Sequence, residues 1–497
     1  MTPIFPIVEE LLPPPDPVAA CERLAPLPYR LFLDSAAVSE RSGRYSFLTA
    51  DPSLVLRGRG QVTKEIGLGG EVRARHGHAL ANARELLARY AAPHAAELPP
   101  FQGGFAGYIG YEHGRVLERV PAPRNDDLTL PDAMLALYDW VVAWDHRQGR
   151  AWIVSTGIPE QGDARHARAA DRLAVVARRL ASPASRVTSP PPLRVRPRSA
   201  ARVPTYPLDA PPASLMRGLR SSFSHSGYLD AVTRVHEYIV AGDIFQANIS
   251  QRLQAPRREH PWELYRRLRC LDPAPFAAYL ELDDLAIASA SPERFLRVDA
   301  ARRVETRPIK GTRPRGTAPA DDASLARALL ASDKDRAENL MIVDLLRNDL
   351  SRTCRPGSVR ATELFALEYY STVQHLVSTV TGVLADGADT VGLLCAAFPG
   401  GSITGAPKVR AMEIIAEIEP CARGVYSGSI GYLSVTGTMD SSIAIRTCFA
   451  VGDTLYLPVG GGIVADSDPE DEYQETLHKA RGLVRAMRGE ARGARGE

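Results

Sequence analysis

The segment from Ala288 to Gly316, ASASPERFLRVDAARRVETRPIKGTRPRG, constrains the chain more than any other. Apolar Phe295, Leu296 and Val298, and then Val304, alternate with charged residues, the pattern of strands with one face buried. It predicts two strands of one hairpin, carrying an acid, Glu293, and an amine, Lys310, just before a Gly-Thr turn. Arg307, Arg313 and Arg315 crowd Lys310. A lysine is a nucleophile only when neutral and its ordinary pKa is about 10.4, so clustered cations would favour the reactive form. A solvated basic hairpin accounts for the same residues equally well.

The 497 residues suffice for a large core in two or three domains or one bilobed unit. Sixty Lys and Arg against 58 Asp and Glu leave a formal charge of +2, no general argument for nucleic acid or an anionic membrane. The six cysteines are scattered without close pairs, which suggests neither a disulfide framework nor a metal knuckle and fits a reducing cytoplasm. The opening MTPIFPIVEELLPPPDP lacks a basic start followed by an apolar core, and no apolar run approaches membrane-spanning length. Neither export nor a membrane span is expected.

Residues 29–58 read as strands around a turn at Ser42 and Gly43, and 78–92 has helical spacing. Two buried strands follow within 134–156, joined by the turn His146 to Gly149, and then an Arg- and Ala-rich helix at 163–181. The prolines and serines of 182–212 exclude regular helix or central strand. That linker divides an N-terminal region, 1–181, from a C-terminal region, 213–497.

In the C-terminal region, 226–243 predicts an amphipathic helix and IFQANISQRLQA a strand. Residues 323–352 carry a helical stripe through Leu340, Met341, Leu345 and Leu346, with Glu338 on its inward face. A helix beginning near Pro469, capped by Ser467 or Asp468, places Glu472, Glu475 and Lys479 on one side. Two glutamates from separate helices facing one cavity would suit magnesium, which takes carboxylate oxygens and keeps several waters. A boundary glutamate in a surface salt bridge is the competing account of Glu338. Glycine-rich segments at 398–415, 423–435 and 457–468 allow backbone amides to approach an anion, and also serve as tight turns. Arg446, in strand-like SSIAIRTCFA, suits a substrate carboxylate or a structural acid.

Taken together, SPERF, PIKGTRPRG, AENLMIVDLLRNDLSR, PGGSITGAPK, YSGSIGY, IAIRT and GGGIVADSDPEDEYQET resemble the chorismate-utilising enzymes. The likeness covers about 225–487, and LFLDSA and RYSFLTADP resemble that family's amino-terminal region. It implies an α+β fold of two packed antiparallel β-sheets flanked by helices, with the site in the C-terminal region. Carried over by motif, it makes Glu338 and Glu475 the ligands of Mg2+. Gly311, Thr312, Tyr426, Arg446, Gly460, Gly461 and Gly462 then hold the carboxylates of chorismate, and His375 and Lys408 line the same site.

PIKGT, with Lys310, resembles the aminodeoxychorismate synthases, whereas anthranilate synthases typically read PIAGT. The implied reaction has Lys310 attack ring C2 while Glu293 protonates the departing C4 hydroxyl; ammonia then adds at C4 and displaces the lysine. The resemblance also implies a separate glutamine amidotransferase subunit as the ammonia source. Ser35, Arg44, Tyr45, Pro275 and Phe276 match positions that bind L-tryptophan in related enzymes, although Asp272 stands where the family commonly has asparagine. The rival readings are an anthranilate synthase component and, from another class, a non-catalytic tryptophan-binding scaffold.

Overall fold

The computed structural model describes residues 6–38, 41–67, 69–182, 203–208, 213–316, 318–370 and 373–490. Two large sheets, all of whose strand pairs are antiparallel, pack face to face with helices outside them. The first runs in space from Ile7–Glu10 through Arg150–Ser155, Trp140–Asp145, Tyr45–Thr49 and Leu31–Asp34. It continues through Phe276–Leu282, Leu285–Ser291, Thr447–Val451, Thr454–Ile463 and Gln246–Pro256. The second begins with Ile309–Pro314, Val373–Val383, Arg303–Arg307 and Arg294–Val298. It passes through Met439–Ile443, Ser429–Ser434 and Gly104–Ile109 to Ala133–Tyr138 and Leu54–Arg59. Strands from both sides of 182–212 thus share hydrogen-bonded ladders in both sheets. Most of 182–212 lies outside the described residues; within it Tyr206–Pro207 pairs with Arg220–Ser221 at the edge of the first sheet.

Side-chain alternation builds the layers. Leu31, Ala278, Leu280 and Ile287 point from the first sheet toward Ala106, Tyr108, Met134 and Tyr432 of the second, forming the inter-sheet core. The neighbouring positions Phe32 and Tyr279 face the other way, onto helix Pro261–Leu271. There Tyr265 meets Phe32 edge-on at 6.3 Å and Trp262 meets Tyr279 at 5.0 Å. Helices therefore cover a face that the strands would otherwise leave apolar and wet.

Candidate active site

Two chain crossings between the sheets meet at one place. Leu285–Ser291 belongs to the first sheet and Arg294–Val298 to the second, so Glu293 lies in the step between them. Met439–Ile443 of the second continues into Thr447–Val451 of the first, and Arg446 lies in that step. Ala290 N donates to Arg446 O at 3.0 Å and Ile443 N to Glu293 O at 3.1 Å, which clips the crossings side by side. Arg446 has φ +50°, a left-handed conformation unusual for a side-chain-bearing residue, and its Nη1 donates to Lys479 O at 3.1 Å.

Glu293 is 4 % exposed and its Oε1 accepts a 2.6 Å hydrogen bond from Ser402 Oγ. Burial pushes its carboxyl up to about 7, while the Ser402 hydrogen bond and the positive Lys310 act in the opposite direction. A carboxyl so placed holds a transferable proton near neutrality.

The hairpin expected to carry both reactive groups is made by Arg294–Val298 and Arg303–Arg307, with Glu293 just before it. Lys310 lies beyond Pro308 on Ile309–Pro314, which pairs with Val373–Val383 instead. The expected crowding by free arginines is also replaced. Arg307 pairs with Glu368, Arg313 with Asp335 at 2.8 Å and Arg315 with Asp322 at 2.6 Å, so each cation has its own acid. Lys310 is instead a positive charge common to Glu293, Glu338 and Glu475, favouring the ionised form of all three.

Glu338 is on helix Asp333–Ser351, whose cap Ser332 accepts from Asp335 N at 3.2 Å. The deeply buried stripe of this helix is Ile342, Val343, Leu346 and Leu350; Leu340, expected inside, is 51 % exposed. Glu338, Met341 and Leu345 form a half-buried flank, and a methyl carbon placed on Gly401 would fall 2.5 Å from Leu345 Cδ2. Glu472 and Glu475 are on helix Pro469–Met487, where Asp468 Oδ1 caps Glu470 N and Asp471 N. Ser467 Oγ donates to Glu472 Oε1 at 2.6 Å, leaving Glu472 Oε2 buried without a hydrogen-bond partner. A methyl placed on Gly461 would fall 2.9 Å from that oxygen, 3.8 Å from Glu475 Oε1 and 3.9 Å from Lys479 Nζ.

Three charged groups thus gather over one glycine. Lys479, 2.5 Å from Glu475, holds that carboxyl below the usual range, whereas burial and the charge of Glu475 push Glu338 and Glu472 up. Among the described residues no group of three or more His, Cys, Asp or Glu is placed to hold a metal ion, and Lys479 supplies the counter-charge to Glu475. Glu338 and Glu475 lie within each other's electrostatic reach, and their carboxylate oxygens are the hard donors a divalent cation takes. Glu472 shares the face of Glu475 one turn earlier.

Gly460, Gly461 and Gly462 lie opposite Ser250, Ile249 and Asn248 in the strand ladder. A methyl on Gly462 would fall 2.1 Å from Gln246 Nε2 and 3.3 Å from Lys310 Nζ. Gln246 is 1 % exposed, and both Gln246 Oε1 and Asn248 Oδ1 are buried without partners. Sequence reasoning missed Gln246; its signal is a Gln-Ala-Asn run placing two amides on one side of a buried strand. His375 shares a 2.8 Å hydrogen bond between Nδ1 and Thr312 Oγ1, and burial, aided by Arg446, lowers its imidazole to about 3, so the ring is neutral at pH 7. Gly311 has φ +82° and a methyl there would meet Leu329 Cδ1 at 2.9 Å, so glycine is required twice over. Burial pushes the Tyr426 phenol up to about 12, with Arg423 and Arg446 acting against that shift.

Lys408, expected on the same site, is bound elsewhere. Its Nζ donates to Asp349 Oδ2 at 2.6 Å and Ala397 O at 2.7 Å. Asp349 is three helical turns beyond Glu338, about 16 Å along the axis. Of the five residues matched to a tryptophan pocket, Ser35, Tyr45 and Phe276 lie on or beside adjacent strands, with Pro275 one residue before Phe276. Ser35 Oγ donates to Tyr45 O at 2.6 Å, Arg44 stacks 4.7 Å over the Tyr45 ring, and Arg294 stacks 4.9 Å over Phe276. Arg44 is tied to Asp145 at 2.6 Å. Asp272, pushed up by burial and opposed by Arg446, would lie 3.2 Å from a methyl on Gly482.

Sheet architecture, seam-borne acid and glycine strip agree with a single family: the chain belongs to the chorismate binding enzymes, whose profile matches residues 36–485. It is 40 % identical over 461 residues to anthranilate synthase component 1 of Cereibacter sphaeroides, covering 91 % of this chain and 88 % of that protein. It is also 40 % identical over 481 residues to aminodeoxychorismate synthase component 1 of Salmonella typhimurium, covering 95 % and 96 %. Among solved structures, anthranilate synthase component I from Streptococcus pneumoniae superimposes with a TM-score of 0.75 at 30 % identity, over 90 % of this chain and 94 % of that one. Among the described residues no helix is long and apolar enough to cross a membrane.

Proposed function

We propose that this chain aminates chorismate at C4, giving 4-amino-4-deoxychorismate, as component I of an aminodeoxychorismate synthase in 4-aminobenzoate and folate synthesis. The observation that carries this reading is a buried, protonatable Glu293 at about 7 within the field of Lys310, the amine that anthranilate synthases typically replace by alanine. Lys310, once its ammonium has given up a proton to solvent, bonds to C2 through the freed lone pair, the ring double bonds shift, and the C4 hydroxyl leaves as water with the proton of Glu293. Ammonia then bonds to C4, the double bonds shift back, and the C2–N bond to Lys310 breaks.

Arg446 and Tyr426, with the backbone amides of Gly460–Gly462 and Gly311 and the Thr312–His375 pair, would hold the two carboxylates of the substrate. Glu338 and Glu475 would hold Mg2+, which when bound neutralises the ring carboxylate. Component 1 in the relatives' names supports a second subunit, here a glutamine amidotransferase supplying ammonia in the cytoplasm. Ser35, Tyr45 and Phe276, with Arg44 and Arg294 stacked on the two rings, are the candidate residues for L-tryptophan, read out by fluorescence titration against a Ser35→Trp variant.

An anthranilate synthase is the second reading, favoured by relatives of that name at equal identity. It would place ammonia at C2 and release pyruvate. Product analysis after incubation with chorismate, Mg2+ and an ammonium salt separates the two.

A further inference from the structure

We propose that the buried pair Lys408 and Asp349 positions the general acid by closing segment 398–407 so that Ser402 meets Glu293, an inference that rests on the acid role given to Glu293 above. Lys408 Nζ donates to Asp349 Oδ2 at 2.6 Å and to Ala397 O at 2.7 Å. One ammonium therefore ties the residue before the segment to the residue after it. Between these two ends, Ser402 Oγ donates to Glu293 Oε1 at 2.6 Å.

Stability does not account for the pair. The side chains of Lys408 and Asp349 are 11 % and 5 % exposed, and burying two charges costs about as much as their attraction offsets, so apolar residues of similar volume serve a fold as well. Lys408 is the first residue of helix Lys408–Ile418, the end whose dipole repels a cation, and Asp349 is in the last turn of Asp333–Ser351, the end that repels an anion. Each charge suits only the other's helix. Arg352 favours the ionised form of Asp349 as Lys408 does, and Glu118 opposes it. What the pair supplies is geometry: the ammonium meets the last carbonyl of helix Thr390–Ala397 and the last turn of Asp333–Ser351 at once.

The two limbs of the segment are held differently. On the downstream side, Arg423 Nη1 donates to Ile403 O at 2.9 Å, Asn248 N to Thr404 O at 2.8 Å and Phe245 N to Ala406 O at 2.7 Å. The upstream limb, 398–401, is set by packing and by Lys408. A methyl on Gly400 would fall 2.7 Å from Ile443 Cδ1, and one on Gly401 2.5 Å from Leu345 Cδ2. Leu345 and Asp349 are one turn apart on the helix that also carries Glu338, so that helix aligns both the limb and the tie that closes it. Residues 397–406 are all buried, and no bulk water replaces a lost contact there. Releasing Lys408 frees the upstream limb to slide on Leu345 and draws Ser402 away from Glu293.

The test compares the full wild-type chain with Lys408→Met and with the paired variant Lys408→Met/Asp349→Leu. The single variant leaves Asp349 buried without its cation and is the one at risk of unfolding; the paired variant removes both charges together, so it folds and leaves the net field on Glu293 unchanged. Chorismate consumption with Mg2+ and an ammonium salt is followed whichever amino product forms. We expect the paired variant to melt near wild type, yet to lose about tenfold or more in kcat/KM, with its alkaline limb raised by about one pH unit, the direction expected of Ser402→Ala. Adding Ser402→Ala to the paired variant then moves the limb no further. A paired variant with wild-type rate and limb makes the ion pair a structural element alone and overturns the proposal. So does a further shift on adding Ser402→Ala, since the pair then acts by another route. If wild type consumes no chorismate, the acid reading fails on its own. Hydrogen exchange over 398–407 still decides the positioning claim: faster in the paired variant supports it, and unchanged exchange overturns it.

Discussion

Ser402 Oγ donates a 2.6 Å hydrogen bond to Glu293 Oε1, joining the glycine-rich loop before Lys408 to the strand crossing that carries the acid. The bond favours the ionised carboxylate, while burial favours the neutral acid and prevails, leaving the group at about 7 against an ordinary 4.5. Because the folded state holds this proton more tightly, the group's contribution to stability is complete below about 4.5 and is lost as pH rises through about 7. In the reaction the protonated form is the active one, so kcat/KM falls on the alkaline side of that value. Ser402→Ala removes the bond to the ionised form and moves the alkaline limb to higher pH; a limb that stays in place in the pH profile contradicts this assignment.

Lys310→Ala removes the nucleophile, and amino-product formation drops by about a thousandfold or more with the fold intact. In wild type, acid quenching during turnover followed by peptide mass spectrometry finds a ring adduct on Lys310. An adduct-free Lys310 together with an active Lys310→Ala enzyme would remove covalent catalysis from the account.

The mutual reach of Glu338 and Glu475 predicts a metal-linked stability. Magnesium raises the Tm of wild type, by about 2.7 kcal/mol of stabilisation at a hundredfold excess over Kd. Glu475→Gln and Glu338→Gln lose most of that increment in differential scanning calorimetry. Without metal, Glu472→Gln is slightly more stable than wild type, since it removes a buried charge that Glu475 repels.

Gly462→Ala tests the glycine strip. Its methyl would arrive 2.1 Å from Gln246 Nε2 and 3.3 Å from Lys310 Nζ, so the buried amide must move. Amination falls by about a hundredfold, since a misplacement near 1 Å has that cost. Gly437→Ala, at φ +80° with open space around it, strains its own turn and lowers stability but brings no methyl near the site, so it changes the rate of the folded enzyme little and serves as the comparison.

What was legible in the sequence was local. The helix Pro469–Met487 announced itself through Asp468, Pro469 and three acids in its first turn, and placed Glu475 correctly on its face. The helix Asp333–Ser351 was found but rotated, because Leu340 and Leu345 make its flank nearly as apolar as its buried stripe. The hairpin lost its second reactive group because Ile309–Pro314 pairs with a strand some sixty residues later, which periodicity does not register. Likewise Lys408 reads as a free cation until the fold supplies Asp349, and Arg307 until it supplies Glu368. The meeting of two sheet crossings at Glu293 and Arg446 belongs to topology, and only the fold displays it.

The most direct test of the central claim is the product made from chorismate by the purified chain with Mg2+ and an ammonium salt, identified by chromatography and mass spectrometry alongside a pyruvate assay. The account predicts 4-amino-4-deoxychorismate with no pyruvate released. Anthranilate with one pyruvate per turnover would contradict it, and would leave Lys310 without the role assigned here.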